Sequence, residues 1–338
     1  MGVPRLGVRL VGWGVLLAAG GASIVWMTRM PGRSHTGPLA PLTGGEVVLR
    51  DRLRRHVEVL AGEIGERNLW RFEALGRAAG HVEGSFREAG DRVVSEAFAV
   101  DGREVRNLFA DRPGTGRARE IVVVGAHYDS VLGSPGADDN ATGVAAVLEI
   151  ARLLAGRGLS RTVRLAAFVN EEPPFFQTDS MGSLVHARRA RERGEVVVAM
   201  LSLETMGYYS DAPGSQSYPF PLGLLYPSRG DFIGFVGDTR SRGLVRQVIG
   251  SFRGHTAFPS EGAAVPGILP GVGWSDHWSF WQAGYPAVMV TDTAPFRYPA
   301  YHGPDDTPER VDYERLARVV AGLARVVEAL AGSESGGR

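Results

Sequence analysis

The sequence predicts an α/β fold with a mostly parallel, mixed central sheet and helices on both faces, preceded by an N-terminal hydrophobic helix. Short apolar runs typical of buried strands alternate with longer runs whose apolar residues recur at helical spacing. No internal repeat or linker divides residues 46–332, so this alternation predicts a single α/β domain. In such a sheet, ligands bind outside the carboxyl ends of the strands.

The composition excludes several functional classes. Lysine plus arginine and aspartate plus glutamate are balanced at 37 each in 338 residues, so no net charge favours nucleic acid or an acidic substrate. The chain has no cysteine, which excludes disulfides, thiolate metal ligands and a cysteine nucleophile. Any metal must therefore be held by histidines and carboxylates.

The first 29 residues are predicted to be a membrane anchor or a signal segment. Residues 10–28 carry no charge, and about 20 apolar residues span a bilayer as a helix. The alternative is a cleavable signal peptide with its small-residue site at residues 20–22. Because the apolar run continues through Trp26 and Met27, the uncleaved anchor is favoured. We expect a membrane-anchored protein with its domain outside the cytoplasm, or alternatively a secreted one.

Three further boundaries follow from composition. Residues 30–45 are rich in proline, glycine, serine and threonine, which is typical of a linker. Residues 46–332 are predicted to form the folded domain, and residues 333–338 a flexible tail. A chain that begins near Glu46 is therefore expected to fold by itself.

The elements of the domain are expected in a definite order. Apolar residues at helical spacing predict two helices between Glu46 and Gly90. Residues 92–100 and 104–110 are predicted to be strands joined by a tight Asp101-Gly102 turn. Further strands are predicted at residues 121–126, 163–169, 196–203, 232–236 and 287–290, and helices at residues 142–154, 244–253 and 312–330.

Acidic residues and histidines fall at or just beyond the ends of these strands. One such residue alone is usually a helix cap or a surface charge. Convergence on one edge is more informative, because clustered carboxylates repel one another unless a cation lies among them. The residues concerned are His127, Asp129, Asp139, Glu171, Glu172, Glu204 and His302.

The types of these side chains indicate a metal centre. Zinc accepts imidazole and carboxylate ligands, and two neighbouring metal ions need a carboxylate between them. Of two adjacent acids at a strand end, one can bind metal while the other takes a proton from water. An acid two residues after a histidine ligand is suited to orienting that imidazole.

Five motifs resemble the zinc exopeptidases related to bacterial leucyl aminopeptidases and glutamate carboxypeptidases, in order and approximate spacing. They are HYDS, GADDNATG, NEE, LET and YHGPDDT, and the resemblance runs from about His127 to Leu330, more loosely back to Glu46. It implies the phosphorylase/hydrolase-like fold of that family and two zinc ions per chain.

The resemblance also implies a role for each site residue. Asp139 would bridge the two zinc ions, and the peptide bond after it would be cis. One zinc ion would be completed by His302 and Glu172, and the other by His127 and Glu204. Glu171 would be the general base and Asp129 the partner of His127.

The sequence departs from the family at two positions. Many members carry aspartate where Glu204 stands. A tyrosine that helps to hold the transition state in some aminopeptidases falls near Val272, so Tyr301 or the Ser275-Asp276-His277 group is a possible substitute. A structural or rim role is favoured for Asp276 and His277.

The resemblance implies a metal-dependent exopeptidase with a peptide substrate, most simply an aminopeptidase that hydrolyses N-terminal peptide bonds. A carboxypeptidase or dipeptidase of the same family stays open. So does a glutaminyl cyclase-like enzyme with one zinc ion on Asp139, Glu172 and His302, and so does a non-catalytic ectodomain. Nothing indicates the oligomeric state.

Other polar residues are expected to be structural or solvated. His56, His81 and His186 lie among charged residues of predicted helices, and Glu149 and Glu195 are expected at the surface.

Two apolar features are expected near the substrate. The loop at residues 211–230 is expected to rim the substrate cleft, because long loops in compact domains are usually functional or disordered. Phe175 and Phe176 follow the acidic pair and are candidates for a specificity pocket.

Overall fold

The computed structural model describes residues 20–220 and 222–332. Most of the expected N-terminal hydrophobic helix and all of the expected tail lie outside these residues. Residues 20–28 are helical. Within the described ranges, no helix has both the length and the apolar character needed to cross a bilayer.

The described elements follow the expected order. The helices are α1 (Gly44–Val57), α2 (Phe72–Glu88), α3 (Gly143–Leu153), α4 (Gly182–Glu192), α5 (Arg242–His255), α6 (His277–Gln282) and α7 (Tyr313–Ala331). The strands are β1 (Val93–Val100), β2 (Arg103–Arg112), β3 (Arg117–His127), β4 (Arg161–Phe168), β5 (Val196–Glu204), β6 (Ile233–Gly237), β7 (Ser260–Ala264) and β8 (Ala287–Thr291).

The strands form one mixed sheet in the order β1-β2-β4-β3-β5-β8-β6-β7. The four central strands, β4, β3, β5 and β8, run parallel to one another. Strand β2 pairs antiparallel with β4, and β6 pairs antiparallel with β8. The register places His127 opposite Phe168 and Glu204 opposite Thr291. The carboxyl ends of the central strands therefore meet at one edge, as expected for a site in this class of fold.

Helices cover both faces of the sheet, as predicted. Alternate residues of a strand point to opposite faces. In β3, Val122 and Val124 join the larger apolar cluster, which includes residues of α1, α2, α3, α5 and α7. Val123 joins the smaller cluster on the other face, which includes residues of α4 and α6. Both faces of β3 are buried, which explains its continuous apolar run.

Strand β7 and helix α6 were not predicted. The β7 sequence, SEGAA, contains no β-branched or aromatic residue, so propensity gives no strand signal. Its strand geometry comes from parallel pairing with β6 at the edge of the sheet. Helix α6 has only six residues, which is too short for a periodic pattern.

Three expectations about surface residues are wrong. His186 is completely buried, and its Nδ1 lies 2.9 Å from Oε2 of Glu96. Glu149 is also buried and accepts hydrogen bonds from Arg52 and Arg152. The ring of His56 is buried 3.4 Å from the same carboxylate. Charged neighbours in the sequence do not place a side chain in solvent when partners from other elements can pair with it.

The predicted linker lies against the domain. We call residues 29–43 the N-terminal strap. Arg253 of α5 donates to the carbonyl of Pro31 at 3.0 Å, and the Ser260 N–H of β7 donates to Oγ of Ser34 at 2.8 Å. Arg318 of α7 donates to the carbonyl of Ala40. The strap therefore follows α5 and the β7 edge before it reaches α7.

Candidate metal centre

The strand ends bring the expected site residues together. His127 and Glu204 are the last residues of β3 and β5, and Glu172 follows β4. Asp139 lies in a short irregular segment before α3, where its backbone leaves helical geometry. The Asp139–Asn140 peptide bond is cis, as the resemblance implied. His302 lies in the loop between β8 and α7.

The two carboxylate oxygens of Asp139 face two different groups of side chains. Its Oδ1 lies 3.3 Å from Nε2 of His127, and that nitrogen is 3.3 Å from Oε2 of Glu204. Its Oδ2 lies 3.1 Å from Nε2 of His302, and that nitrogen is 3.3 Å from Oε2 of Glu172. Within each group, all three ligand atoms lie within 4.8 Å of one another.

The arrangement of these side chains suits a bound metal ion better than direct hydrogen bonds between them. Nε2 of His127 is buried and makes no hydrogen bond of normal geometry, although carboxylate oxygens surround it. Histidine and carboxylates are the donors that zinc accepts. His302 is the exposed member of the second group, so the centre opens to solvent on that side.

The carboxylates lack enough positive charge among their neighbours. Burial raises the pKa of Glu172 to about 7, with a further rise from the charge of Asp139. Burial also raises the pKa of Glu171 well above its usual range, and Glu204 and Glu172 add to that rise against the effect of His127. Acids this close cannot all ionise unless a cation compensates them.

Glu171 lies beside the two groups without belonging to either. Its Oε2 is 3.8 Å from Nε2 of His127, which is farther than Asp139 or Glu204. Its backbone N–H donates to Oδ1 of Asp129 at 3.2 Å. The backbone of Glu171 is thus fixed by Asp129, and its side chain lies at the edge of the centre.

Asp129 contacts His127, its expected partner, and also the backbone of the acidic pair. Its Oδ1 is 3.5 Å from Nδ1 of His127. Its Oδ2 accepts the backbone N–H of Glu172 at 3.2 Å, in addition to the bond from Glu171. The backbone carbonyl of Asp129 lies 3.3 Å from the same Nδ1 of His127. Asp129 therefore orients the imidazole through its carbonyl and carboxylate oxygens, and its carboxylate fixes the backbone of the acidic pair.

The sequence did not indicate two buried residues that support the centre. Arg67 is completely buried and donates to the carbonyls of Tyr128 at 2.7 Å and Gly136 at 2.8 Å. Asp306 accepts the backbone N–H groups of Asp138 at 2.9 Å and Asp139 at 3.1 Å. Arg67 lies in no motif. Asp306 lies in YHGPDDT, which was the available signal for it.

The Ser275-Asp276-His277 group has a supporting position, which agrees with the structural role favoured for it. The Ser275 hydroxyl donates to Oε2 of Glu204 at 2.7 Å. Nε2 of His277 pairs with the carbonyl of Val272 at 2.7 Å. Asn140 holds the other side, donating from Nδ2 to the carbonyl of Leu203 at 2.9 Å. The Glu204 strand end is therefore fixed from two directions.

An open cavity adjoins the centre at Glu204 and Tyr301. The ring of Tyr301 stacks on that of His302 with centroids 3.9 Å apart. The loop at residues 211–230 lines the cavity, as expected, whereas Phe175 stacks on Trp70 instead. Apolar or aromatic lining residues include Tyr218, Leu222, Tyr226, Phe232, Val236, Val265, Val272, Trp274 and Phe296.

The charged residues that line this cavity, within the described chain, are the acids Glu204 and Glu261. No arginine or histidine is among the described lining residues. The cavity is therefore suited to an apolar group.

Comparisons of sequence point in one direction. The sequence profile of Peptidase family M28 matches residues 107–327. The uncharacterized protein YfbL of Escherichia coli K12 is 41% identical over 283 residues, 81% of this chain and 86% of that protein. A probable leucine aminopeptidase of Arthroderma otae is 28% identical over 62% of this chain. The chain spans 54% of that fungal protein's length.

Solved structures share the fold. The zinc aminopeptidase BSAP from Bacillus subtilis superposes with a TM-score of 0.65 at 16% identity, covering 86% of this chain and 96% of its own. The glutaminyl cyclase of Fimbriiglobus ruber superposes with a TM-score of 0.62 at 19% identity, covering 87% and 97%. At these identities the superpositions establish only the fold. The reaction has to be inferred from the residues of the site.

Proposed function

The chain belongs to peptidase family M28 and is a metallopeptidase, and from this premise we propose that it is a two-zinc aminopeptidase with Glu171 as general base. The observation that carries the proposal is the placement of the two carboxylate oxygens of Asp139, which face two separate groups of ligands. A carboxylate in that position can bridge two metal ions. The proposed ligands are His127, Asp139 and Glu204 for one ion and Asp139, Glu172 and His302 for the other.

Zinc, when bound, supplies an activated water and polarises the substrate carbonyl. The protein's part is to move the proton. Glu171 takes a proton from the attacking water on its carboxylate and returns it to the leaving amine. Burial raises the pKa of the Glu171 carboxyl group above its usual range, which makes its carboxylate a stronger base. Asp129 keeps both Glu171 and His127 in place during this exchange.

The lining of the cavity favours an aminopeptidase over a carboxypeptidase. A C-terminal carboxylate would find no arginine or histidine among the described lining residues to bind it. The mostly apolar lining instead suits the uncharged side chain of an N-terminal residue.

Glutaminyl cyclisation is the second candidate, since a solved cyclase shares the fold. A cyclase with one zinc ion would need only Asp139, Glu172 and His302. The group of His127, Asp139 and Glu204 is equally compact here, which favours the peptidase.

The experiment that tests the proposal compares amino-acid p-nitroanilides with their N-acetylated forms. The full-length protein is purified in detergent, loaded with zinc, and assayed beside a chelated sample. An aminopeptidase will hydrolyse leucine and phenylalanine p-nitroanilides and will reject the acetylated forms, which lack the ammonium group. Equal hydrolysis of both forms would contradict N-terminal recognition. Cyclisation of glutaminyl peptides with one zinc ion per chain would establish the cyclase instead.

The proposal also includes a membrane anchor at residues 10–28. Its support is the uncharged sequence of these residues, which is close to the length that spans a bilayer. The full-length protein is then expected to sediment with membranes and to resist carbonate extraction. A mature N-terminus near Ser23 would instead indicate a secreted enzyme.

A further inference from the structure

Large apolar side chains are exposed on two loops that flank the cavity. In the first loop, Phe220 is 89% exposed and Leu224 is 78% exposed. In the second loop, Ile268 is 92% exposed. We call the exposed set the apolar rim; it comprises Phe220, Leu224, Leu225, Ile268, Leu269 and Trp274. Each loop thus exposes apolar side chains that are close together in the sequence, and exposed apolar patches mark interaction sites in soluble domains.

The chain just after the helical residues 20–28 comes near the first loop of the rim. The Tyr226 hydroxyl, next to Leu225 in that loop, donates to the carbonyl of Gly262, and Met30 also lies beside Gly262. Met27 packs against the same apolar cluster as Tyr226. Residues 27–30 and the first loop therefore meet at strand β7.

Arginines surround the helical segment. The Arg242 guanidinium lies 4.3 Å from the ring centroid of Trp26, and its Nε donates to the Trp26 carbonyl. Arg246 donates to the carbonyl of Arg29. Arg240 is highly exposed, with one acid, Asp238, beside it. Arginine and tryptophan together are typical of the headgroup region of a membrane, where cations meet phosphates.

The residues that precede Gly20 indicate which kind of partner covers the apolar rim. They number 19, and from Leu10 onward their sequence is apolar and uncharged. This stretch connects directly to the exposed helical residues at the same side of the domain. A bilayer that receives it would lie within reach of the rim, whereas a soluble partner has no comparable attachment there.

We propose that the apolar rim lies in the interfacial layer of a phospholipid bilayer, so that the cavity opens toward lipid. The inference rests on the proposed anchor and is independent of the proposed reaction. Exposed apolar side chains bury their surface among the acyl chains, while Arg240 and Arg246 remain among the headgroups. Substrates with apolar N-termini at the membrane surface would then reach the cavity directly.

The absence of cysteine allows a direct test on the full-length chain. Leu224→Cys and Ile268→Cys are each labelled with an environment-sensitive fluorophore. The matched control is Glu104→Cys, an exposed position in β2 at the opposite side of the sheet. Each protein is placed in nanodiscs that hold one chain and contain phosphatidylcholine and phosphatidylglycerol, with or without nitroxide-labelled acyl chains.

The labels at positions 224 and 268 are expected to emit at shorter wavelength than the label at 104 and to be quenched by the acyl-chain nitroxide. Equal behaviour at all three positions, in protein that remains in the discs, would overturn the proposal. The same labelled proteins are also placed in vesicles that hold several chains. A blue shift that appears in these vesicles but not in the single-chain nanodiscs would assign the rim to a contact with a second copy, and would also overturn the proposal. Failure of the anchor is distinguishable, because the protein would then leave the discs.

Discussion

Two clusters of ionisable side chains in this molecule compensate their negative charges in different ways. At the metal centre, carboxylates outnumber the histidines, and the pKa values of Glu171 and Glu172 are raised. The second, which we call the His186 cluster, lies among β1, β2, β4 and α4. It comprises Glu96, Asn107, Asp111, Arg164, His186 and Glu195.

In the His186 cluster, each acid has a partner from the protein. Arg164 donates to Glu195 at 2.6 Å and to Asp111 at 2.7 Å. Glu96 pairs with His186, and although burial opposes ionisation, these contacts lower its pKa to about 2.

At the metal centre burial also opposes ionisation, and His127 and His302 outweigh it to lower the pKa of Asp139 alone, whereas the pKa values of Glu171, Glu172 and Glu204 are raised. The two histidines thus compensate one carboxylate and leave the others without a cation. Both clusters contain buried histidine and acid, so residue type alone does not distinguish them.

The largest expected effect is the loss of the bridge proposed at Asp139. Asp139→Ala removes a side chain from both ligand groups, so under the two-zinc proposal the protein should lose its bound zinc and its peptidase activity. Metal catalysis is worth several kcal/mol, so activity should fall by at least about 10³-fold. Zinc content after dialysis and p-nitroanilide hydrolysis measure the two effects. Retention of two zinc equivalents would place the bridge elsewhere.

Glu171→Gln should separate chemistry from metal binding at the same centre. The amide cannot accept a proton, so kcat should fall about 10²–10⁴-fold while zinc content stays unchanged. The matched control is Glu192→Gln, an exposed glutamate at the end of α4 that should leave both quantities unaltered. Wild-type turnover in Glu171→Gln would remove this residue from the mechanism.

Arg164→Met should damage the other cluster and spare the centre. It leaves the exposed carboxylate of Asp111 and the partly buried carboxylate of Glu195 without their shared cation. Because water still reaches these acids, the loss of unfolding free energy should lie between that of a surface pair and that of a buried pair, at about 1–3 kcal/mol. Denaturant titration measures this loss, and zinc content per folded molecule should not change. A parallel loss of zinc at full stability would mean that the clusters are coupled.

The two clusters should also respond to acid in opposite directions. Because the folded-state pKa of Glu96 is about 2, below its usual value of 4.5, its contribution to stability is present above pH 4.5. This contribution is lost as the pH falls toward 2, so Glu96→Gln should flatten the acid decline of the unfolding free energy.

In the chelated protein, the pKa of Glu172 is raised to about 7, so the folded state binds this proton more tightly than the unfolded state. Its contribution should therefore increase stability as the pH falls from 7 toward 4.5. Zinc should abolish this increase. Thermal melts across pH, with and without zinc, would show the two slopes, and identical slopes in both samples would contradict the assignment of the uncompensated charge.

The residues proposed as ligands could be predicted from sequence because each stands next to an element with a strong local signal. His127 and Glu204 end continuously apolar strands, and Asp139 precedes a well-marked helix. Their convergence follows from the parallel order of the central strands. The contacts of Arg67 could not be predicted in this way, because this arginine reaches backbone carbonyls 61–69 positions away.

The His186 cluster was missed for a related reason. Glu96 and His186 are 90 positions apart and meet because β1 and β2 extend the sheet antiparallel beside β4. On helix α4, His186 is surrounded in sequence by arginines, which indicated solvent. Burial of a charged stretch depends on long-range pairing, which hydrophobic periodicity does not encode. Strand β7 was missed similarly, since its neighbour β6 defines it.

The N-terminal strap bears on how this protein can be produced in the laboratory. Strand β7 is an edge strand, and an uncovered edge is a template for intermolecular pairing and aggregation. The strap covers part of this edge through Ser34, and Thr43 caps α1. A recombinant chain that begins at Glu46 would lose both, so its yield and solubility should suffer even if the zinc centre is intact. A truncation before Arg29 would keep this protection.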